Sequence, residues 1–165
     1  FETQEATNKA YFAGRCQAYT TDASGLASVR NKEATNPDDH LVLSELISKE
    51  PLGPSVRRGD DEFFAIVKWV VFALVEAEEY GITQANVDQM KTSTDPVVGR
   101  IVGSTEDTGK LLGLDKAWAA NAIKAVGNYG EIFERNVGPK SALGMPRGNN
   151  NLWNKGGFMY APPVR

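Results

Sequence analysis

Apolar positions recur at helical spacing in several blocks of this chain, and in two short runs too brief for a helix. The longest block lies between Asp60 and Tyr80. There Phe63, Phe64, Ile66, Val67, Val70, Val71, Leu74 and Val75 fall three and four residues apart and form a wide stripe. Asp60 and Asp61 suit the positive end of a helix dipole, and Gly81 marks its end. So wide a stripe predicts a helix that is mostly buried.

Upstream, Glu2 to Ala13 reads as a short polar helix stopped by Gly14. Arg15 to Thr20 reads as a short strand, and Thr21, Asp22 and Ser24 offer capping chemistry for a helix over Ala23 to Ala34. Asn36-Pro37-Asp38-Asp39 is a turn, and His40 to Leu43 is a short apolar run of the buried-strand kind. Two prolines and two glycines between Ser48 and Asp60 predict an extended crossing and a domain boundary.

Downstream of Gly81 the pattern breaks into short helical pieces: Thr83–Lys91, Asp95–Val102, Asp107–Leu112, Lys116–Val126 and Tyr129–Asn136. The tail from Arg135 to Arg165 carries five basic residues, no acid, five glycines and four prolines. It reads as an irregular strap anchored by Trp153, Phe158 and Tyr160.

Composition narrows the classes of function. The chain has 165 residues, 18 basic and 21 acidic side chains and a net charge of −3, which does not favour nucleic acid as a partner. With one cysteine, Cys16, and one histidine, His40, neither a disulfide framework nor a Cys/His metal cluster is expected. The longest apolar stretch, Ala65 to Val75, is interrupted by Lys68 and falls short of the roughly 20 residues a membrane span needs. The chain opens at Phe1, and the expectation is that processing or truncation has removed a preceding segment.

Few constellations carry chemistry. Gly103 to Lys110 partly resembles a phosphate loop, but five residues separate its glycines and Leu111 stands where a Mg²⁺-binding hydroxyl belongs. A helix-linking turn is expected. His40 lacks partners for catalysis and reads as structural, and Cys16 as a buried, inert thiol. Thr20-Thr21-Asp22 differs, because strand-to-helix junctions are where α/β folds gather ligands. There the Asp22 carboxylate would meet a ligand ammonium; on local physics alone an N-cap role is the stronger reading.

Four segments then invite comparison with a known family: AGRCQAYTTDASGLAS (Ala13–Ser28), ISKEPLGPSVRRGDDEFF (Ile47–Phe64), VGNYGEIFERNVGP (Val126–Pro139) and GGFMYAPPVR (Gly156–Arg165). They closely resemble the polar amino-acid solute-binding proteins of bacterial ABC transporters, over essentially the whole chain. The resemblance implies an α/β, periplasmic-binding-protein-like fold of two lobes (type II), of which this chain is a C-terminal portion with a mostly helical extension. Residues 1–47 would complete the second lobe, 48–52 would be a hinge strand, 53–80 would return into the first lobe, and 81–165 would be the extension and tail.

By the same resemblance Asp22 matches the aspartate that binds the ligand α-ammonium, with Thr20 and Thr21 beside it facing the cleft. Gln17 departs from the family, whose members usually carry Asp there. The arginine that pairs the ligand α-carboxylate has no counterpart in this chain. The implied function is capture of free L-amino acids in the periplasm and delivery to a membrane permease, with no catalysis, no cofactor and no metal. The alternatives are an enzyme on the same fold, such as a cyclohexadienyl-type dehydratase, or an interaction module built on the basic tail.

Overall fold

The computed structural model describes residues 1–165 and consists of helices joined by turns and extended segments. Helix α1 (Gln4–Phe12) begins where the Thr3 side chain accepts a hydrogen bond from the Ala6 amide at 3.2 Å. It ends in a Schellman turn: Gly14 takes φ +72°, and the Arg15 amide reaches back to the Ala10 carbonyl at 3.0 Å. Helix α2 (Ala23–Glu33) follows, then a 3₁₀ turn at Pro37–Asp39.

The two expected strands are not formed. Residues 15–20 and 40–43 enter no β-ladder, and the chain's β pairing is a single bridge between Leu152 and Met159. A strand exists only against a partner, and neither segment has one within these residues. The α/β character expected from the sequence is therefore not seen in this chain. Cys16, expected to be buried on such a strand, is half-buried in irregular backbone.

Helix α3 (Asp61–Glu79) starts with Asp60 as cap, its carboxylate accepting from the Phe63 amide at 3.1 Å. Only its second half enters a core: Ala73 to Ala77 are buried, while Phe63 and Phe64 are half-exposed. This corrects the expectation of a mostly buried helix, because the elements that follow pack on the C-terminal half alone. These are α4 (Val87–Met90), α5 (Pro96–Ile101), a 3₁₀ turn at Gly109–Leu112, α6 (Trp118–Val126) and α7 (Tyr129–Asn136).

Their core joins Ala73, Leu74 and Ala77 of α3 to Ile82, Val87, Val98, Ile101, Val102, Trp118 and Ile123. Each aliphatic side chain fully buried there stabilises the fold by about 1.5–3 kcal/mol. Where polar groups enter, they are paired. The indole N–H of Trp118 donates to the Thr108 hydroxyl at 3.1 Å, and the Asn128 side-chain amide donates to the Ile82 carbonyl at 2.9 Å. Asn128 and Glu131 also form a reciprocal capping box that starts α7. The stretch from Gly103 to Lys110 is the helix-linking turn expected. A Cβ at Gly103 or Gly109 would collide with the backbone at Lys116 or Asp115, so these glycines serve close packing.

The tail folds over α3, and its anchors differ from those expected. Leu152, Ala161 and Val164 are its buried hydrophobic residues, whereas Trp153, Phe158 and Tyr160 are 52%, 73% and 65% exposed. Val164 is held at both backbone atoms. Its amide donates to the Glu76 carboxylate at 2.9 Å, and its carbonyl accepts from Arg100 Nε at 3.2 Å. Burial raises the Glu76 carboxyl above the usual carboxylate range, an effect opposed by the Val164 hydrogen bond.

Candidate functional site

The Thr20–Asp22 junction is positioned by a polar network between α1 and α2. Tyr19 Oη donates to Asn8 Oδ1 at 2.8 Å, and Asn8 Nδ2 donates to Glu33 Oε1 at 2.7 Å. Asn8 is itself buried, so both its hydrogen bonds are needed. Tyr11 Oη lies 2.9 Å from His40 Nδ1, and the His40 ring packs edge-on against Phe12 at 5.2 Å between centroids. Arg30 Nε donates to the Pro37 carbonyl at 2.7 Å. His40 is thus tied to Tyr11 and Phe12 of α1.

Asp22 is the N-cap residue of α2, yet its side chain caps nothing. Its backbone carbonyl accepts the Leu26 amide at 2.9 Å, while its carboxylate has no hydrogen-bond partner in the chain and is exposed. The first turn of α2 contains no acidic residue. The amides at that end make no hydrogen bond within the chain, and the exposed Asp22 carboxylate stands beside them. Thr21 leans over this turn, and a Cβ at Gly25 would lie 3.3 Å from its Cγ2. Thr20 and Thr21 are exposed beside Asp22. The three expected site residues thus share one exposed helix start, but no cation of this chain is bonded to any of them. The arrangement can accept from an ammonium and donate from amides, and it offers no proton-transfer partner.

A second polar region lies between α3, α7 and the tail. It is an open groove of about 450 Å³ lined by Glu78, Asn128, Glu131, Glu134, Lys140 and Arg147 among others, with no apolar side chain. Much of its charge is committed to the fold. Arg147 pairs with Glu78 at 3.0 Å, donates to the Asn150 carbonyl, and stacks over Tyr129 and Phe133. Glu131 accepts from the amides of Gln84 and Asn128. Sequence reasoning missed this clamp and the Tyr19–Asn8–Glu33 relay, since both join residues far apart along the chain. The chain holds no group of three or more His, Cys, Asp or Glu side chains suited to a metal ion. No helix is long and apolar enough to cross a membrane.

Comparison with known proteins adds what the geometry alone does not carry. No family model matches the chain. Along its whole length it is 61% identical to the general L-amino acid-binding periplasmic protein AapJ of Rhizobium johnstonii, covering 49% of that protein. Over 94% of its length it is 53% identical to the glutamate/glutamine/aspartate/asparagine-binding protein BztA of Rhodobacter capsulatus, covering 46% of it. All of the structure superposes, with a TM-score of 0.93 and 54% identity, on 52% of an ABC transporter periplasmic binding protein from Brucella ovis with glutathione bound. The chain spans about half the length of the curated relatives it matches.

Proposed function

We propose that this chain, homologous along its whole length to the amino-acid-binding periplasmic proteins of ABC transporters, is part of a receptor that captures L-amino acids and passes them to a membrane permease. The periplasm is the matching location. The observation that carries the reading is the Asp22 carboxylate, which stands at a helix start without a capping bond. A ligand α-ammonium would take charge-assisted hydrogen bonds from it, with the Thr20 and Thr21 hydroxyls alongside. The relatives' ligands support a site that reads the amino-acid head group. Glutamate, glutamine, aspartate and asparagine share the free α-amino and α-carboxyl groups, and glutathione carries the same pair at its γ-glutamyl end.

In this reading residues 1–47 belong to one lobe of a two-lobed α/β protein, 48–52 form a hinge strand, 53–80 return to the other lobe, and 81–165 are a helical extension. The α-carboxylate would be met by a cation from outside this chain. Closure would remove water from both ion pairs and strengthen them. The enzyme alternative is disfavoured, because the relatives are named as binding proteins and Asp22 has no second acid or base bonded to it.

The test is calorimetric titration of L-glutamate into the 165 residues joined to the half of the R. johnstonii relative that they do not match. Asp22→Asn should cost roughly 1.5–3 kcal/mol as a lost charge-assisted bond. Unchanged affinity would remove Asp22 from the site.

A further inference from the structure

Residues 160–165 are held to the protein by side chains alone. No backbone group from Tyr160 to Arg165 bonds to another backbone group. The segment's hydrogen bonds are both at Val164, whose amide donates to Glu76 Oε2 at 2.9 Å and whose carbonyl accepts from Arg100 Nε at 3.2 Å. Glu76 is 4% exposed, and its carboxylate accepts no other hydrogen bond. A carboxylate buried so deeply and aimed at the N–H of a segment outside any helix or ladder is a built acceptor.

The conformation of that segment follows from its sequence. Pro162 and Pro163 fix φ at about −65°, and each turns the residue before it away from helix, so Ala161 and Pro162 are extended. A polyproline chain of this kind completes one turn in three residues. Ala161 and Val164, three apart, are the buried residues, while the prolines between them are half-buried and Tyr160 is exposed. Val164 enters the cluster that holds Ala77 of α3 and Ile101 of α5, and Ala161 joins Val75 and Leu152. Burial at i and i+3 is how grooves take proline-rich peptides, which lose little conformational freedom on docking. The residues before the segment close on themselves: the Trp153 and Gly157 amides donate to the Met159 and Leu152 carbonyls at 3.0 Å each, and Phe158 to Asn149 at 2.8 Å. Residues 160–165 can therefore leave without breaking a backbone–backbone hydrogen bond.

We propose that the cleft between α3 and α5 is a binding site for an extended small-Pro-Pro-aliphatic peptide, and that residues 161–164 occupy it as a releasable ligand of the chain itself. Glu76 and Arg100 recognise the peptide backbone at the aliphatic position, and the pocket around Val164 recognises its side chain. The site is separate from the Asp22 helix start and does not depend on the amino-acid-binding reading. Release leaves the Glu76 carboxylate without a donor, so the cleft favours exchange of one such segment for another over standing empty.

The test uses the 165-residue chain, isotope-labelled, with an unlabelled peptide Tyr-Ala-Pro-Pro-Val-Arg in excess. The peptide captures the cleft whenever the tail leaves it, so hydrogen exchange of the chain's own Val164 amide should accelerate while that of Ile123, buried in α6, does not. The same peptide carrying Val164→Pro lacks the N–H that Glu76 accepts, and should compete more weakly by about tenfold or more, the loss of one charge-assisted hydrogen bond. Val164→Pro in the chain weakens its own tail in the same way, and fluorescence anisotropy should then show dye-labelled peptide binding about tenfold more tightly than to the unsubstituted chain. The exchange measurement decides the matter whether or not that variant folds. Val164 exchange that the peptide leaves unchanged overturns the proposal, as does exchange of Val164 and Ile123 at one common rate. Equal competition by the proline-substituted peptide overturns it too.

Discussion

Arg147 and Glu78 lie 69 residues apart and form an ion pair at 3.0 Å, their side chains only 14% and 12% exposed. The pair fastens the tail to α3 against Gly130 of α7, where a Cβ would approach the Glu78 carboxyl carbon to 2.8 Å. Removing one partner leaves a charge largely out of water. Glu78→Leu should therefore destabilise the protein by about 3 kcal/mol, the lower end of the range for a broken buried pair. The double replacement Glu78→Leu with Arg147→Met should cost less than either single change. Chemical denaturation of the four proteins checks this, and additive costs would rule out the coupling.

Glu76 gives a pH dependence of definite sign. Its carboxyl lies above the ordinary value of 4.5 in the folded protein because burial disfavours the charge, with Glu79 adding repulsion and Arg100 and Arg165 opposing it. The native state therefore holds this proton more tightly than the unfolded chain. The group's contribution to stability grows as pH falls through the folded value and levels off below the unfolded one. Glu76→Gln keeps an acceptor for the Val164 amide without the charge. The difference in melting temperature between Glu76→Gln and the parent should be largest near neutral pH and shrink toward pH 4. A difference that does not vary with pH would show that Glu76 titrates normally.

The tail's anchors can be separated from its ornaments. Leu152 is fully buried with Val75 and Ala161, so Leu152→Ala should cost about 2–5 kcal/mol. Trp153 is half-exposed, donates to Glu79 at 3.3 Å and meets Tyr160 edge to face at 6.0 Å. Trp153→Ala should cost about 1 kcal/mol, a typical single-substitution effect. Thermal unfolding ranks the two, and the reverse order would restore Trp153 as an anchor.

Titrating the 165 residues alone with a panel of L-amino acids should give no sub-micromolar binding. Asp22 supplies one pole for a zwitterion, and no cation of this chain is bonded near it to supply the other. Tight binding by the isolated chain would place the whole site within it.

What the sequence determined by itself is local. The Asp60 cap with the Gly81 stop, and the helical pieces read at Asp95–Val102 and Tyr129–Asn136, place α3, α5 and α7 to within a residue or two, because the bonds that start a helix lie within one turn. The Gly103–Lys110 turn was legible for the same reason, whereas the seat of His40 was not, because the Tyr11 hydroxyl that meets it lies 29 positions away. Strands at 15–20 and 40–43 were not secured, since a ladder depends on a partner that local pattern cannot provide. Only the tertiary structure decided which aromatic residues of the tail face water and which half of α3 is buried. It also decided that Glu76, one of several acids on that helix, sits beneath Val164. These outcomes turn on contacts between residues up to 88 positions apart, and burial is a property of the surface that arrives, not of the residue that receives it.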